Sequence, residues 1–139
     1  MTAPSPAVER GRGPDALLLV DDEEALVELL GLGLGRLGWR VFGFVEPGEA
    51  LAAFCAAPAE FGAAVCDLSM PGMSGGALAR EILAVRPGLP IVLMSGYAGD
   101  GETVRANLPA VRGFVEKGSR VEEIVRAIDT ALAARPGPA

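Results

Sequence analysis

The amino-acid sequence predicts an α/β fold, in which a five-stranded parallel sheet carries helices on both faces. Five apolar runs of strand length alternate with segments whose apolar residues recur at helical spacing. The strand-like runs are Ala16–Val20, Arg40–Val45, Gly62–Cys66, Pro90–Met94 and Arg112–Glu116. The first and fourth runs contain consecutive apolar residues without alternation, as strands buried on both faces require. Strands that alternate with helices favour a parallel sheet with right-handed connections.

Four of the intervening segments carry a helical stripe of apolar residues. The stripes are Leu26, Leu29, Leu30, Leu34 and Leu37; Ala50, Leu51 and Phe54; Leu78, Ile82, Leu83 and Val85; and Val121, Ile124, Val125, Ile128 and Leu132. Gly38 is expected to end the first helix and Pro47 to begin the second, since each residue type is typical of that position. Ser119 and Glu122 have the spacing of a capping box that opens the last helix. The fourth helix, within Asp100–Leu108, is short and polar, so we expect it to be the most mobile element.

The length and composition fit one domain and exclude several classes of protein. The chain has 139 residues, half of them hydrophobic, and a net charge of −6. We therefore expect one domain over residues 15–134, with flexible tails at 1–14 and 135–139. An acidic chain is not typical of proteins that bind nucleic acids or anionic membranes, because those proteins need clustered Lys and Arg. No apolar run approaches the ~20 residues of a membrane span. The absence of histidine excludes Ser-His-Asp catalysis and His-ligated zinc. Cys55 and Cys66 are expected to be small core residues of a reduced, cytoplasmic protein.

Polar and charged residues follow four of the five predicted strands. Asp21 and Asp22 end the first strand, Asp67 the third, Ser95 the fourth and Lys117 the fifth. Because the carboxyl ends of parallel strands meet at one edge of the sheet, these side chains should lie together. Three carboxylates at one edge repel each other, and a hard cation such as Mg²⁺ with oxygen ligands relieves the repulsion. The single lysine among twelve basic residues adds a compact positive charge there.

These strand ends also carry a resemblance to a known family. Four separated motifs occur in order: Leu18-Leu19-Val20-Asp21-Asp22-Glu23, Asp67-Leu68-Ser69-Met70-Pro71-Gly72-Met73-Ser74-Gly75, Leu93-Met94-Ser95-Gly96-Tyr97 and Phe114-Val115-Glu116-Lys117. They resemble the receiver domain of response regulators in two-component signalling over about residues 15–134. The wording from Ser95 to Tyr97 is similar to receivers of hybrid sensor histidine kinases.

The resemblance implies a doubly wound, flavodoxin-like sheet of strand order 2-1-3-4-5 and a phosphoryl-accepting site. Asp67 would be the phosphoacceptor, and Lys117 would pair first with Asp67 and then with the phosphoryl oxygens. Asp22 would bind Mg²⁺ directly and Asp21 mainly through water. Asp67 and the backbone carbonyl of Ser69 would complete the protein ligands.

The same resemblance implies a switch and an access route. Ser95 would hydrogen-bond a phosphoryl oxygen in the active state, and Phe114 would turn inward as Ser95 moves. Ser69 and Tyr97 would flank the approach of water to the phosphoryl group, and bulky Tyr97 predicts slow self-dephosphorylation. The family usually has proline after the lysine, whereas Gly118 stands here. We expect a trans bond at Gly118, because a non-proline cis bond costs roughly 2.5–4 kcal/mol.

The function that follows is a cytoplasmic phosphoacceptor module of a two-component phosphorelay, not an enzyme acting on other substrates. Its donor would be a histidine kinase or a histidine phosphotransfer protein, and it would act as a single-domain regulator or as the receiver of a hybrid kinase. No DNA-binding output domain and no membrane segment are expected. Output would pass through protein contacts on the face made by the fourth helix, fifth strand and fifth helix, where a homodimer could also form.

Two alternative functions are less consistent with the residues. A degenerate receiver that serves only as an interaction domain normally lacks one acidic residue or the lysine, and none is missing here. An aspartate-nucleophile, Mg²⁺-dependent phosphatase usually has a second aspartate two residues after the nucleophile, where this chain has Ser69.

Overall fold

Five strands and five α-helices alternate along the residues that the structure describes. The computed structural model describes residues 15–97 and 99–134, so the predicted tails at 1–14 and 135–139 lie outside the described residues. In chain order the elements are β1 (Ala16–Val20), α1 (Glu24–Arg36), β2 (Arg40–Phe44), α2 (Pro47–Ala56), β3 (Phe61–Asp67), α3 (Gly75–Val85), β4 (Ile91–Ser95), α4 (Asp100–Asn107), β5 (Gly113–Glu116) and α5 (Val121–Ala134), with a 3-10 turn at Pro58–Glu60. All strand pairs are parallel, in the order β2-β1-β3-β4-β5. The predicted fold class and strand order are confirmed.

The sheet separates two apolar layers, and the strands supply residues to both. Leu18 of β1 faces the layer under α2 and α3, which includes Phe54 and Ile82. Leu17 of the same strand faces the layer under α1 and α5, which includes Leu34 and Ile128. Every residue of β1 and β4 is buried, which explains why both strands are apolar without alternation. Burial on both faces holds the ends of these two strands in fixed positions.

The helix boundaries follow the local sequence signals in two cases and shift in a third. Gly38 follows the end of α1 with φ 103°, a left-handed conformation that glycine adopts at low cost, and α2 begins at Pro47. At the start of α5, the carboxylate of Glu123 accepts a hydrogen bond of 2.9 Å from the backbone N–H of Arg120. The predicted pairing of Ser119 with Glu122 is therefore wrong by one residue, because the helix begins later than the serine suggests.

Two apolar residues that the helical spacing assigned to the core lie at the surface, and so does one of the two cysteines that were expected there. Leu29 of α1 is 65% exposed and Val85 of α3 is 44% exposed. Cys55 of α2 is exposed as well, whereas Cys66 of β3 is buried as expected. The expectation for Cys55 was wrong because the buried face of α2 is formed by its neighbours Ala50 and Phe54.

A glycine in α1 has a packing reason that its low helix propensity does not reveal. A Cβ added at Gly33 would lie 2.6 Å from Cγ2 of Val121, the first residue of α5. The absent side chain therefore lets α1 and α5 approach closely. None of the helices in the described part of the chain has the length and apolar character needed to cross a membrane.

Candidate functional site

The parallel sheet brings the four predicted strand ends to one edge. Asp67 is the last residue of β3, and its register partner on β4 is Met94, directly before Ser95. The backbone N–H of Lys117 donates to the carbonyl of Ser95 at 2.7 Å, which holds the chain after β5 beside the end of β4. Asp21 follows β1, the neighbour of β3 on its other side. The side chains of Asp21, Asp22 and Lys117 therefore lie beside Asp67, and the backbone of Ser95 lies at the end of the neighbouring strand.

Lys117 is the centre of the charge arrangement. Its Nζ lies 3.2 Å from Oδ2 of Asp67, 3.2 Å from Oδ2 of Asp21 and 3.1 Å from Oε1 of Glu23. The lysine side chain is 23% exposed, while those of Asp21 and Asp67 are almost fully enclosed. One ammonium group thus forms ion pairs with three carboxylates, two of which are buried.

Burial dominates the protonation behaviour of the two buried carboxylates. Loss of solvent raises the pKa of Asp21, although the hydrogen bonds from the Glu23 backbone and from Lys117 oppose the rise. Burial likewise raises the pKa of Asp67, and the neighbouring charge of Asp21 adds to the effect. Burial also acts to lower the pKa of Lys117, but the hydrogen bonds to Glu23, Asp21 and Asp67 outweigh it, so the pKa of the ammonium is raised. The site holds more negative charge than its lysine balances.

The carboxylates form a donor set that fits a hard divalent cation. Asp21, Asp22 and Asp67 each offer one oxygen, and these oxygens lie within 4.8 Å of one another. Asp22 is exposed at the mouth of the site. Oδ2 of Asp21 is buried and touches the lysine ammonium, but no donor among the described residues is aligned to hydrogen-bond it. Oxygen-only ligands with surplus negative charge are the donors that Mg²⁺ prefers.

The loop after Asp67 packs tightly against the backbone of Asp67 and Leu68. The backbone N–H of Ser69 donates to Oδ1 of Asp67 at 3.4 Å, and that of Gly75 donates to the carbonyl of Leu68 at 2.8 Å. A Cβ added at Gly75 would overlap the carbonyl oxygen of Asp67 and lie 2.8 Å from Cα of Leu68. The start of α3 therefore rests directly on the residue pair at the end of β3.

Ser95 is buried and engages the segment that leads into α4. Its Oγ accepts a hydrogen bond of 3.1 Å from the backbone N–H of Tyr97 and donates to Oδ2 of Asp100. Tyr97 itself is 70% exposed, and its ring lies beside Gly99.

Phe114 of β5 is half-buried and packs at the start of α4. A Cβ added at Gly101 would lie 3.2 Å from the phenyl ring, and the ring joins the apolar layer that contains Val104. The first turn of α4 therefore lies between Ser95, which Asp100 contacts, and Phe114.

The peptide bond between Lys117 and Gly118 is trans, as expected. Gly118 has φ 92°, in the left-handed region, which proline cannot adopt because its ring holds φ near −65°. Glycine at this position therefore belongs to a different loop conformation, and that conformation still directs Lys117 to Asp67.

Two residues at the site were not selected from the sequence. Glu23 shares the ammonium of Lys117, and Asp100 binds the hydroxyl of Ser95. For Glu23 the available signal was its position directly after the aspartate pair. For Asp100 it was an acidic residue in the first turn of a helix that follows Ser95 closely.

Comparisons with known proteins identify the relatives of this arrangement. The model of the response regulator receiver domain family matches residues 17–129. Transcriptional regulatory protein GlrR of Escherichia coli (strain K12) is 33% identical over 119 residues, and the match covers 86% of this chain and 26% of GlrR. Sensor kinase CckA of Brucella abortus is 32% identical over 123 residues, which cover 86% of this chain and 13% of CckA. The chain thus spans only a minor part of these curated relatives. The crystal structure of a response regulator receiver domain protein from Clostridium thermocellum shares the fold, with a TM-score of 0.77 and 21% identity over 85% of this chain and 94% of that one.

Proposed function

The chain belongs to the response regulator receiver domain family, and from this premise we propose that it accepts a phosphoryl group on Asp67 in a two-component phosphorelay. The observation that carries the proposal is the position of Asp67: a buried carboxylate at a strand end, 3.2 Å from the only lysine of the chain and beside two further aspartates. A buried carboxylate next to a fixed cation is suited to nucleophilic attack on phosphorus.

The donor in this proposal is a phosphohistidine of a partner protein, because the chain itself contains no histidine. A carboxylate oxygen of Asp67 attacks the phosphorus, the P–O bond forms and the P–N bond breaks. The imidazole nitrogen retains the bonding electron pair and takes a proton from solvent. Lys117 faces the charge that develops on the phosphoryl oxygens, which is the main assistance that phosphoryl transfer needs.

Asp21, Asp22 and Asp67, with the backbone carbonyl of Ser69, are the proposed ligands of Mg²⁺. When bound, the cation would neutralise charge on the carboxylates and the phosphoryl group. The surplus negative charge and the close grouping of the three carboxylate oxygens support this assignment.

Ser95 and Phe114 are the proposed switch residues. Ser95 would donate its hydroxyl proton to a phosphoryl oxygen, and Phe114 would move inward with it. The first turn of α4 contacts the hydroxyl of Ser95 through Asp100 and the ring of Phe114 through Gly101. These shared contacts support a coupling between Ser95 and Phe114.

The proposed partners are a histidine kinase or histidine phosphotransfer protein on the input side and an unidentified protein on the output side. A groove of about 580 Å³ between α4, β5 and α5 offers apolar surface from Val104 and Phe114, flanked by Arg105 and Arg126. This groove supports output contacts, or a homodimer, on that face. Action in the cytoplasm, either as a single-domain regulator or within a hybrid kinase, belongs to the same proposal.

The test is phosphorylation with a small phosphodonor. Incubation with acetyl phosphate and Mg²⁺ should add one phosphoryl group, measured by intact mass. Asp67→Asn should not be labelled, while Asp129→Asn on the surface of α5 should be labelled like the wild type. Labelling of Asp67→Asn would refute the assignment, and an unlabelled wild type would favour the degenerate interaction domain.

A further inference from the structure

The hydroxyl group of Ser95 is already bound to a carboxylate of its own chain. Ser95 is 4% exposed, and Asp100, the first residue of α4, supplies the acceptor oxygen. The other acceptor within reach is the backbone carbonyl of Tyr97, at 3.3 Å from Oγ. A carboxylate is the stronger acceptor of the two, so the hydroxyl proton points to Asp100.

A serine hydroxyl carries a single proton and can donate one strong hydrogen bond. We propose that Asp100 is a positioning residue that competes with the phosphoryl group for the hydroxyl of Ser95 and so favours the unphosphorylated form. This inference rests on the proposed function of Asp67. For Ser95 to donate to a phosphoryl oxygen, its bond to Asp100 must break, and the free energy of that bond is subtracted from the stability of the phosphorylated state.

The location of Asp100 makes the competition effective. A negative charge in the first turn of a helix is stabilised by the unpaired N–H groups there, so the carboxylate has a favourable place at the start of α4. The register also places Ser95 one residue beyond the partner of Asp67, so the residue bound to Asp100 stands beside the strand end where the phosphoryl group would form.

Release of this bond would also free the start of α4. The hydrogen bond ties the first residue of α4 to the end of β4, and the next residue, Gly101, packs against the ring of Phe114. Phosphorylation would thus exchange one bond at Ser95 and at the same time remove a restraint on the α4 surface that contacts Phe114.

The experiment measures the affinity for beryllofluoride, which copies the phosphoryl group, in the presence of Mg²⁺ by fluorine NMR or calorimetry. Asp100→Ala should bind beryllofluoride roughly tenfold more tightly than the wild type, a factor that corresponds to about 1.4 kcal/mol. Asp100→Asn, which keeps an acceptor but loses the charge, should show a smaller increase. Glu102→Gln is the matched control: it removes an exposed acidic charge from the same turn, and its affinity should equal that of the wild type.

A second pair of variants separates competition for the hydroxyl from a general charge effect. In a Ser95→Ala background, Asp100→Ala should leave the affinity unchanged, because the hydroxyl through which Asp100 acts is gone. An equal increase in both backgrounds refutes the positioning role, as does unchanged or weaker binding by Asp100→Ala and Asp100→Asn when the wild type binds. If the wild type does not bind beryllofluoride, the proposed function of Asp67 is refuted, and this inference with it.

Discussion

Lys117→Met should destabilise the metal-free protein, and the loss should depend on pH. The substitution keeps a long apolar side chain but removes the ammonium that faces Asp21 and Asp67 at 3.2 Å. Removing one partner of a buried ion pair costs about 3–5 kcal/mol. Because the lysine is 23% exposed, water screens part of the interaction. We therefore expect the free energy of unfolding to fall by about 2–3 kcal/mol at pH 8.

The sign of the pH dependence follows from the two carboxylates. The pKa values of Asp21 and Asp67 are raised above 3.8 in the folded protein, first by burial. Protonation of these carboxylates therefore stabilises the folded state. This stabilisation is fully present below pH 3.8 and is lost as the pH rises through the pKa values of the folded protein. The pKa of Lys117 is raised too, so its charge is constant between pH 5 and 8. The loss in Lys117→Met should shrink as the pH falls from 8 to 5, since protonation removes the unpaired charge.

The assay is urea unfolding in the presence of a chelator, followed by the fluorescence of the single, buried tryptophan Trp39. Arg120→Met is the control, because it removes an exposed cation three residues away from Lys117. The control should lose little stability at either pH, as is usual for exposed charges. A loss in Lys117→Met that is the same at pH 5 and 8, or no larger than that of the control, would refute the charge-balance argument.

Three further predictions concern the metal, the backbone and the lifetime of the phosphoryl group. Mg²⁺ should raise the unfolding midpoint of the wild type but not of Asp22→Ala, measured by thermal unfolding; an equal rise in both would place the cation elsewhere. Gly75→Ala should destabilise the protein by about 1–3 kcal/mol, the cost typical of overpacking, because its Cβ would overlap the backbone of Asp67; urea unfolding measures this, and Gly88→Ala, with open space around it, is the control. Phosphorylated Asp67 should decay faster in Tyr97→Ala than in the wild type, measured by intact mass over time; an unchanged or slower decay would show that Tyr97 does not shield the group.

The sequence predicted the fold and the grouping at the site because both depend on patterns that the chain carries locally. Consecutive apolar residues in β1 and β4 reflect burial on two faces, and in a parallel sheet every strand then ends at the same edge. Asp67 and Ser95 had only to be the last residues of their strands to become neighbours. No knowledge of loop conformation was needed for that step.

The contacts of Glu23 and Asp100 could not be predicted in the same way. Both residues stand where a loop enters a helix, and their partners are distant in sequence or across a turn: Lys117 for Glu23, and Ser95 for Asp100. Strand and helix periodicities do not specify where a side chain at such a position points. The start of α5 shows the same limit, because the choice between Ser119 and Arg120 as the residue before the helix depends on the loop that Gly118 shapes.

The distribution of buried side chains indicates which part of the site can move at low cost. In α4 only Gly101 and Val104 are buried, whereas α5 inserts Ile124, Ile128 and Ala131 into the core. Elements with few buried apolar contacts open at lower free energy than those that form the core. A change of hydrogen bonding at Ser95 acts on the end of β4, which is enclosed on both faces, and on the start of α4, where the remaining contacts include the ring of Phe114 and the backbone carbonyl of Tyr97. The displacement should therefore be taken up by α4, and the groove that α4 shares with β5 and α5 is the surface that would report it.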